Sequence, residues 1–197
     1  MHYCIGTLLA EEMQGSREQF LLGGIAPDVN KNMHAPKSVS HFVVEGDDGK
    51  RYMNLAGFSA KYLQRGNEPF FFGYYYHLIA DHIWTARIYD PRIRWLPQPE
   101  KELAQGKYYR DFRRLNGRLI DYYELELIDM KAEPIAMDEI DYRYLPAIVN
   151  ELADDFAMKD EAKGQALEML DFAEVIEVLE DTVQTLRACA VGGLVSY

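Results

Sequence analysis

Residues 73–84 read GYYYHLIADHIW, and they restrict the possible fold more than any other stretch of the chain. The segment is apolar or aromatic on nearly every side. A helix of that kind has no face to offer water, so other elements must enclose it. Yet it carries His77, Asp81 and His82. An ionised carboxylate buried without a partner is costly and tends to take up a proton instead. A divalent metal would remove that difficulty by supplying the opposing charge, and a buried His–Asp hydrogen bond is the plainer alternative.

The rest of the chain supplies helices to do the enclosing. Apolar residues recur at three- and four-residue steps through much of the sequence, which is helical periodicity. Residues 2–13 read as a first helix broken at Gly15. Residues 16–24 read as a second, with Ser16 as N-cap and Gly23 and Gly24 as its end. The stretch 25–42, with two prolines and two asparagines, reads as a loop. Further helices are expected over about 53–64, 69–89, 100–129 and 163–191, the last stopped by Gly192 and Gly193. The helix over 100–129 carries Tyr108, Tyr109, Tyr122 and Tyr123. Residues 90–99 read as a loop between halves and 130–146 as irregular. Only 41–55 offers a weak hairpin pattern. The expected fold class is all-α, a multi-helix bundle, as one helical domain over 1–197. Its halves are a site-bearing 1–90 and a histidine-free 91–197.

Composition sets outer limits on function. With 48% hydrophobic residues the chain can bury a real core. A net charge of −11 disfavours binding to a nucleic-acid backbone or an anionic membrane surface, which needs a basic patch, without excluding a local positive site. No apolar run nears the roughly eighteen residues of a membrane span. The opening residues lack a basic, then apolar, secretory pattern. Cys4 and Cys189 lie near opposite ends and read as free thiols. A cytoplasmic location is the expectation.

Chemistry concentrates in the first half. All five histidines, His2, His34, His41, His77 and His82, fall within the first 82 residues. His77 and Asp81 are four residues apart, so they share a helix face about 40° apart around the axis. His82 lies about 140° from His77 and points away. Asp28 follows a proline in the loop over 25–42, and His41 stands thirteen residues later. Imidazole nitrogens and carboxylate oxygens from three segments make a plausible zinc set. Lys37, between Asp28 and His41, is placed to meet a phosphate. Each residue also has a plainer reading: a buried His–Asp hydrogen bond, a loop carboxylate, an exposed lysine.

These pieces stand in a telling order: His2-Tyr-Cys-Ile-Gly6, Gly23-Gly-Ile-Ala-Pro-Asp28, Ser40-His-Phe42, then Gly73-Tyr-Tyr-Tyr-His77-Leu-Ile-Ala-Asp81-His-Ile-Trp84. Over about residues 1–90 the chain resembles the zinc-dependent phospholipase C family, which includes the catalytic domain of glycosylphosphatidylinositol phospholipase D. Secreted single-strand nucleases with three zinc ions are more distant relatives of that family. The resemblance implies an all-α bundle of the phospholipase C and zinc nuclease type. It implies a zinc ion among Asp28, His41, His77 and Asp81, and a second ion shared by Asp81 and His2. It implies attack of an activated water on a small phosphodiester or phospholipid substrate, with Asp28 as general base. The third zinc of that family needs later histidines, and this chain has none beyond His82. Asp90, Asp121, Glu124 and Asp138 are the oxygen donors left for it. One or two zinc ions are therefore expected. The alternative is a helical protein of the same fold that binds metal or a partner without catalysis. Phosphohydrolases of the HD type are a further alternative, but they use a His-Asp doublet, and here the order is Asp81-His82.

Overall fold

The computed structural model describes residues 1–47, 49–65 and 68–192. Those residues are mostly helical, and the strands among them form one two-stranded sheet. In chain order the helices are α1 (His2–Ala10), α2 (Arg17–Ile25), α3 (Lys37–Ser40), α4 (Leu55–Tyr62), α5 (Pro69–Trp84), α6 (Glu100–Tyr122), α7 (Leu145–Ala157), α8 (Lys159–Gly164) and α9 (Phe172–Gly192). Strands β1 (Val43–Glu45) and β2 (Arg51–Met53) pair antiparallel, with Val44 opposite Tyr52. No described helix is long and apolar enough to cross a membrane.

The helix α5 is central, as its all-round apolar surface requires. Tyr74, Leu78 and Ile79 are shut off from solvent, and so are Phe20, Leu21 and Leu22 of α2. Ser16 caps α2 by accepting from the Gln19 amide at 3.2 Å. Gly23 and Gly24 do not end that helix, contrary to expectation; both lie inside it. The reason is a close crossing. A Cβ on Gly23 would fall 1.9 Å from the Phe70 carbonyl oxygen, and one on Gly73 would fall 2.0 Å from that of Phe20. The two backbones touch where any side chain would hold them apart.

Other departures also have physical causes. The expected loop over 25–42 contains a 3₁₀ segment (Ala26–Lys31) and the single turn α3. The expected loop over 90–99 is occupied to Arg94 by a π-helical continuation of α5 (Thr85–Arg94). The wider π register accommodates Pro91, and Ile88 and Ile93 are wholly buried beneath it. Arg87 and Arg92 tie this segment to Glu174, Glu177 and Asp181 of α9. The helix α6 stops at Tyr122, earlier than expected, and Glu124 takes a φ of 49°.

Two features of the second half escaped the sequence reading. The helix α7 fills a stretch to which no element was assigned, with Pro146 in its first turn. The expected helix over 163–191 is continuous only from Phe172, the start of α9: α8 ends at Gly164, and residues 165–171 lie in no helix. Asp111 of α6, wholly buried, accepts from the amides of Glu168, Met169 and Leu170 at 2.8 to 3.1 Å and from Arg114 at 3.1 Å. Amides bound by a carboxylate cannot also join a helical ladder, so the chain breaks there. The expected stop at Gly192 and Gly193 extends to Gly193, and the hairpin expected over 41–55 includes Asp48; both of those residues lie outside the described residues.

Candidate metal centre

The α2–α5 crossing sets the first ligand. It brings the Gly24 carbonyl to 2.9 Å from Nδ1 of His77, which is itself buried. A carbonyl oxygen can only accept, so Nδ1 carries the proton and Nε2 presents a lone pair. His41 is treated the same way. Its Nδ1 lies 3.1 Å from the Lys37 carbonyl and 2.9 Å from Ser40 Oγ, which again leaves Nε2 free. The backbone of α3 thus does for His41 what α2 does for His77. Metal-binding imidazoles are commonly fixed in this manner through their second nitrogen.

The two free nitrogens then face each other, 3.3 Å apart. Two carboxylates close the group. Asp28 Oδ1 lies 3.6 Å from His41 Nε2, and Asp81 Oδ2 lies 3.4 Å from the same nitrogen and 4.0 Å from His77 Nε2. Ligands about 2.1 Å from a tetrahedral zinc stand about 3.4 Å from one another. The two imidazole nitrogens and the carboxylate oxygens facing them are 3.3 to 4.0 Å apart, near that spacing, so a dication fits against the two imidazoles with a carboxylate beside them. Among the described residues, Asp28, His41 and His77 form one group able to hold a metal, and His2, His77 and Asp81 form another.

His2 stands on the opposite side of Asp81. Its Nε2 lies 3.1 Å from Asp81 Oδ1, and its ring stacks on His77 at 3.6 Å between centroids. Asp81 therefore turns one oxygen towards His41 and His77 and the other towards His2. Nδ1 of His2 is buried without a hydrogen-bond partner, so no carbonyl fixes this ring as it does the other two.

The electrostatics follow from this crowding. Burial, helped by His2, pushes the His77 imidazole down to about 3, and the carboxylates of Asp28 and Asp81 only partly oppose that. Burial by itself would raise both aspartates. For Asp28 the His41 contact, the neighbouring imidazoles whenever protonated and the Lys37 ammonium outweigh it; for Asp81 the His2 contact and the Lys37 ammonium do so, leaving both well below the usual carboxylate range. Neutral imidazoles with ionised carboxylates are the states that bind metal. A carboxyl held that low is better suited to carrying charge than to accepting a proton, which bears on Asp28 as a general base.

A cavity of about 600 Å³ opens beside this group. His2, Asp28, Lys37 and Asp81 border it on one side, and Trp84, Tyr108, Tyr109 and Phe112 on another. Tyr108 accepts from the Trp84 indole at 2.6 Å, which sets the wall rigidly. The tyrosine-rich face of α6 is thus divided: Tyr108 and Tyr109 reach the cavity, whereas Tyr122 packs on Phe172. Arg94 and Asn116 also line it, and no local pattern singled them out. His34 and His82 are exposed and belong to neither metal-binding group. Three of the four acids left for a third ion have partners of their own: Asp90 with Arg94, Asp121 with Lys163, and Asp138 with Lys61. Comparison with protein-family models, curated proteins and solved structures finds no match to this chain, so its chemistry is read from its own geometry.

Proposed function

We propose that this chain is a zinc-dependent phosphoesterase of the phospholipase C type, acting on a phosphodiester or phospholipid-like substrate held in the cavity beside the metal-binding group. One observation carries the reading. The Nε2 atoms of His41 and His77 face each other at 3.3 Å, each with its other nitrogen committed to a carbonyl. Two lone pairs so close, with two carboxylates around them, call for a cation between them. Mixed imidazole and carboxylate donors suit zinc. Asp28, His41, His77 and Asp81 would hold one ion, and Asp81 with His2 a second.

When bound, zinc would supply the charge that lowers the pKa of a water towards neutrality and polarises a phosphoryl oxygen. The protein's own part is positional. The Gly24 and Lys37 carbonyls hold the two imidazoles in their ligating tautomer. Asp81 joins the two halves of the group. Asp28, with its side chain 38% exposed, borders the cavity, where it would orient the attacking water. The aromatic wall excludes solvent from the substrate's far side.

The test is metal content by elemental analysis, with hydrolysis of bis-p-nitrophenyl phosphate, for wild type and Asp81→Asn. One or two zinc ions per chain and turnover that both fall in the variant support the reading. Wild-type protein without stoichiometric transition metal overturns it. Metal retained with no turnover of any phosphate ester would instead favour a non-catalytic helical metal-binding protein.

A further inference from the structure

The metal-binding group already contains a positive charge of its own. Lys37 Nζ lies 3.1 Å from Asp81 Oδ2 and 4.0 Å from Asp28 Oδ1. Those are the same carboxylate atoms that approach His41 Nε2. The ammonium therefore answers the question posed by a carboxylate on the central helix. It leans on the two aspartates from the cavity side, and the imidazoles close the group from the core side.

An ammonium and a dication cannot share that position comfortably. Both would use Asp81 Oδ2, and they repel each other in a setting partly screened from water. One must leave, and Lys37 is built to do so. Its side chain is 59% exposed and sits on four flexible methylenes. Its backbone, in contrast, is fixed: the Lys37 carbonyl accepts from the His41 amide at 3.0 Å and from His41 Nδ1 at 3.1 Å. The ammonium can swing away without disturbing the carbonyl that orients a ligand. The space beside it is the cavity, which Lys37 itself lines.

We infer that Lys37 is an exchangeable counter-cation. In the metal-free protein its ammonium neutralises Asp28 and Asp81. Metal expels it into the cavity, where it becomes a donor to a phosphoryl oxygen of the bound substrate. One residue thus keeps the empty centre assembled and serves as an anion-binding group once the centre is filled. The inference rests on the metal-site reading given under Proposed function.

The experiment uses the full chain as wild type, Lys37→Met and Lys37→Gln. Zinc affinity is measured by competition with a chromophoric chelator. Thermal midpoints are measured in EDTA, and binding of inorganic phosphate to the zinc-loaded protein by calorimetry. Both variants should bind zinc at least tenfold more tightly than wild type and melt lower in EDTA. When zinc-loaded, both should bind phosphate at least tenfold more weakly. Zinc affinity that is unchanged or weaker in both variants overturns the exchange, and unchanged phosphate affinity overturns the second role. A wild type that binds no zinc brings down the metal-site reading itself. A wild type that binds zinc, with variants that bind it no better, brings down this inference alone.

Discussion

Gly73 of α5 rests directly on the backbone of Phe20 in α2: a Cβ on Gly73 would lie 2.0 Å from the Phe20 carbonyl oxygen. The contact is as much about the metal-binding group as about packing. One turn further along α5, His77 donates to Gly24 of the same partner helix. Core packing and ligand orientation are therefore set by one helix crossing.

Gly73→Ala is expected to force the two helices apart. Overpacking of this sort costs about 1–3 kcal/mol, and more where the obstacle is backbone. The expected result is a lower urea midpoint together with weaker zinc binding, because the Gly24 carbonyl moves with α2. Urea titration and zinc competition on the same protein check both. Lost stability with zinc affinity intact would show that the crossing does not orient His77.

Asp81→Asn removes the carboxylate that serves both sides of the group. Zinc affinity should fall by ~100-fold or more, since losing groups that merely orient ligands already costs 10- to 100-fold. Circular dichroism should show the helical content unchanged. Stoichiometric zinc retained at wild-type affinity would remove Asp81 from the ligand set.

Acid should destabilise the metal-free protein in two stages. His77 is depressed to about 3 when folded, against about 6.5 when unfolded. Between those values the unfolded chain holds the extra proton, so stability falls as pH drops, by at most ~1.4 kcal/mol per pH unit. Asp28 and Asp81 are likewise depressed when folded, so the stability they contribute is present above about pH 4 and lost below it. Urea titrations in EDTA from pH 7 to pH 4 should show the first stage. Its persistence in His77→Gln would assign it elsewhere.

Asp111→Asn should act on the fold and spare the metal. The amide presents an N–H where three backbone N–H groups now converge, so at least one buried donor loses its acceptor. The expected loss is about 3 kcal/mol. Zinc affinity of the folded variant should match wild type, because none of the candidate ligands touches Asp111. A parallel loss of zinc affinity would couple the α8–α9 break to the metal-binding group.

Local pattern revealed much of the first half but missed the helix α7 (Leu145–Ala157). The apolar surface of residues 69–84 demanded a central helix, and the four-residue step from His77 to Asp81 put an imidazole and a carboxylate on one face of it. Ser16 capped the helix it was expected to cap. Two other failures share a cause, a partner far away in the chain. Gly23 and Gly24 looked like a helix stop, because a glycine that ends a helix and one that lets two helices touch are identical in sequence. The break before α9 was invisible because the carboxylate that makes it, Asp111, lies 57 residues away from the first amide it binds.

The sequence by itself determined a helical chain and the residue types from which a metal centre can be built, because helix periodicity and side-chain chemistry are local properties. Only the tertiary structure decided which nitrogen of His77 is free, which oxygen of Asp81 faces which histidine, and that Lys37 lies against both carboxylates. The His41 tautomer is set within one turn, by the Lys37 carbonyl and Ser40, but the His77 tautomer, the two faces of Asp81 and the Lys37–Asp81 contact join segments tens of residues apart and come into being only when the helices pack.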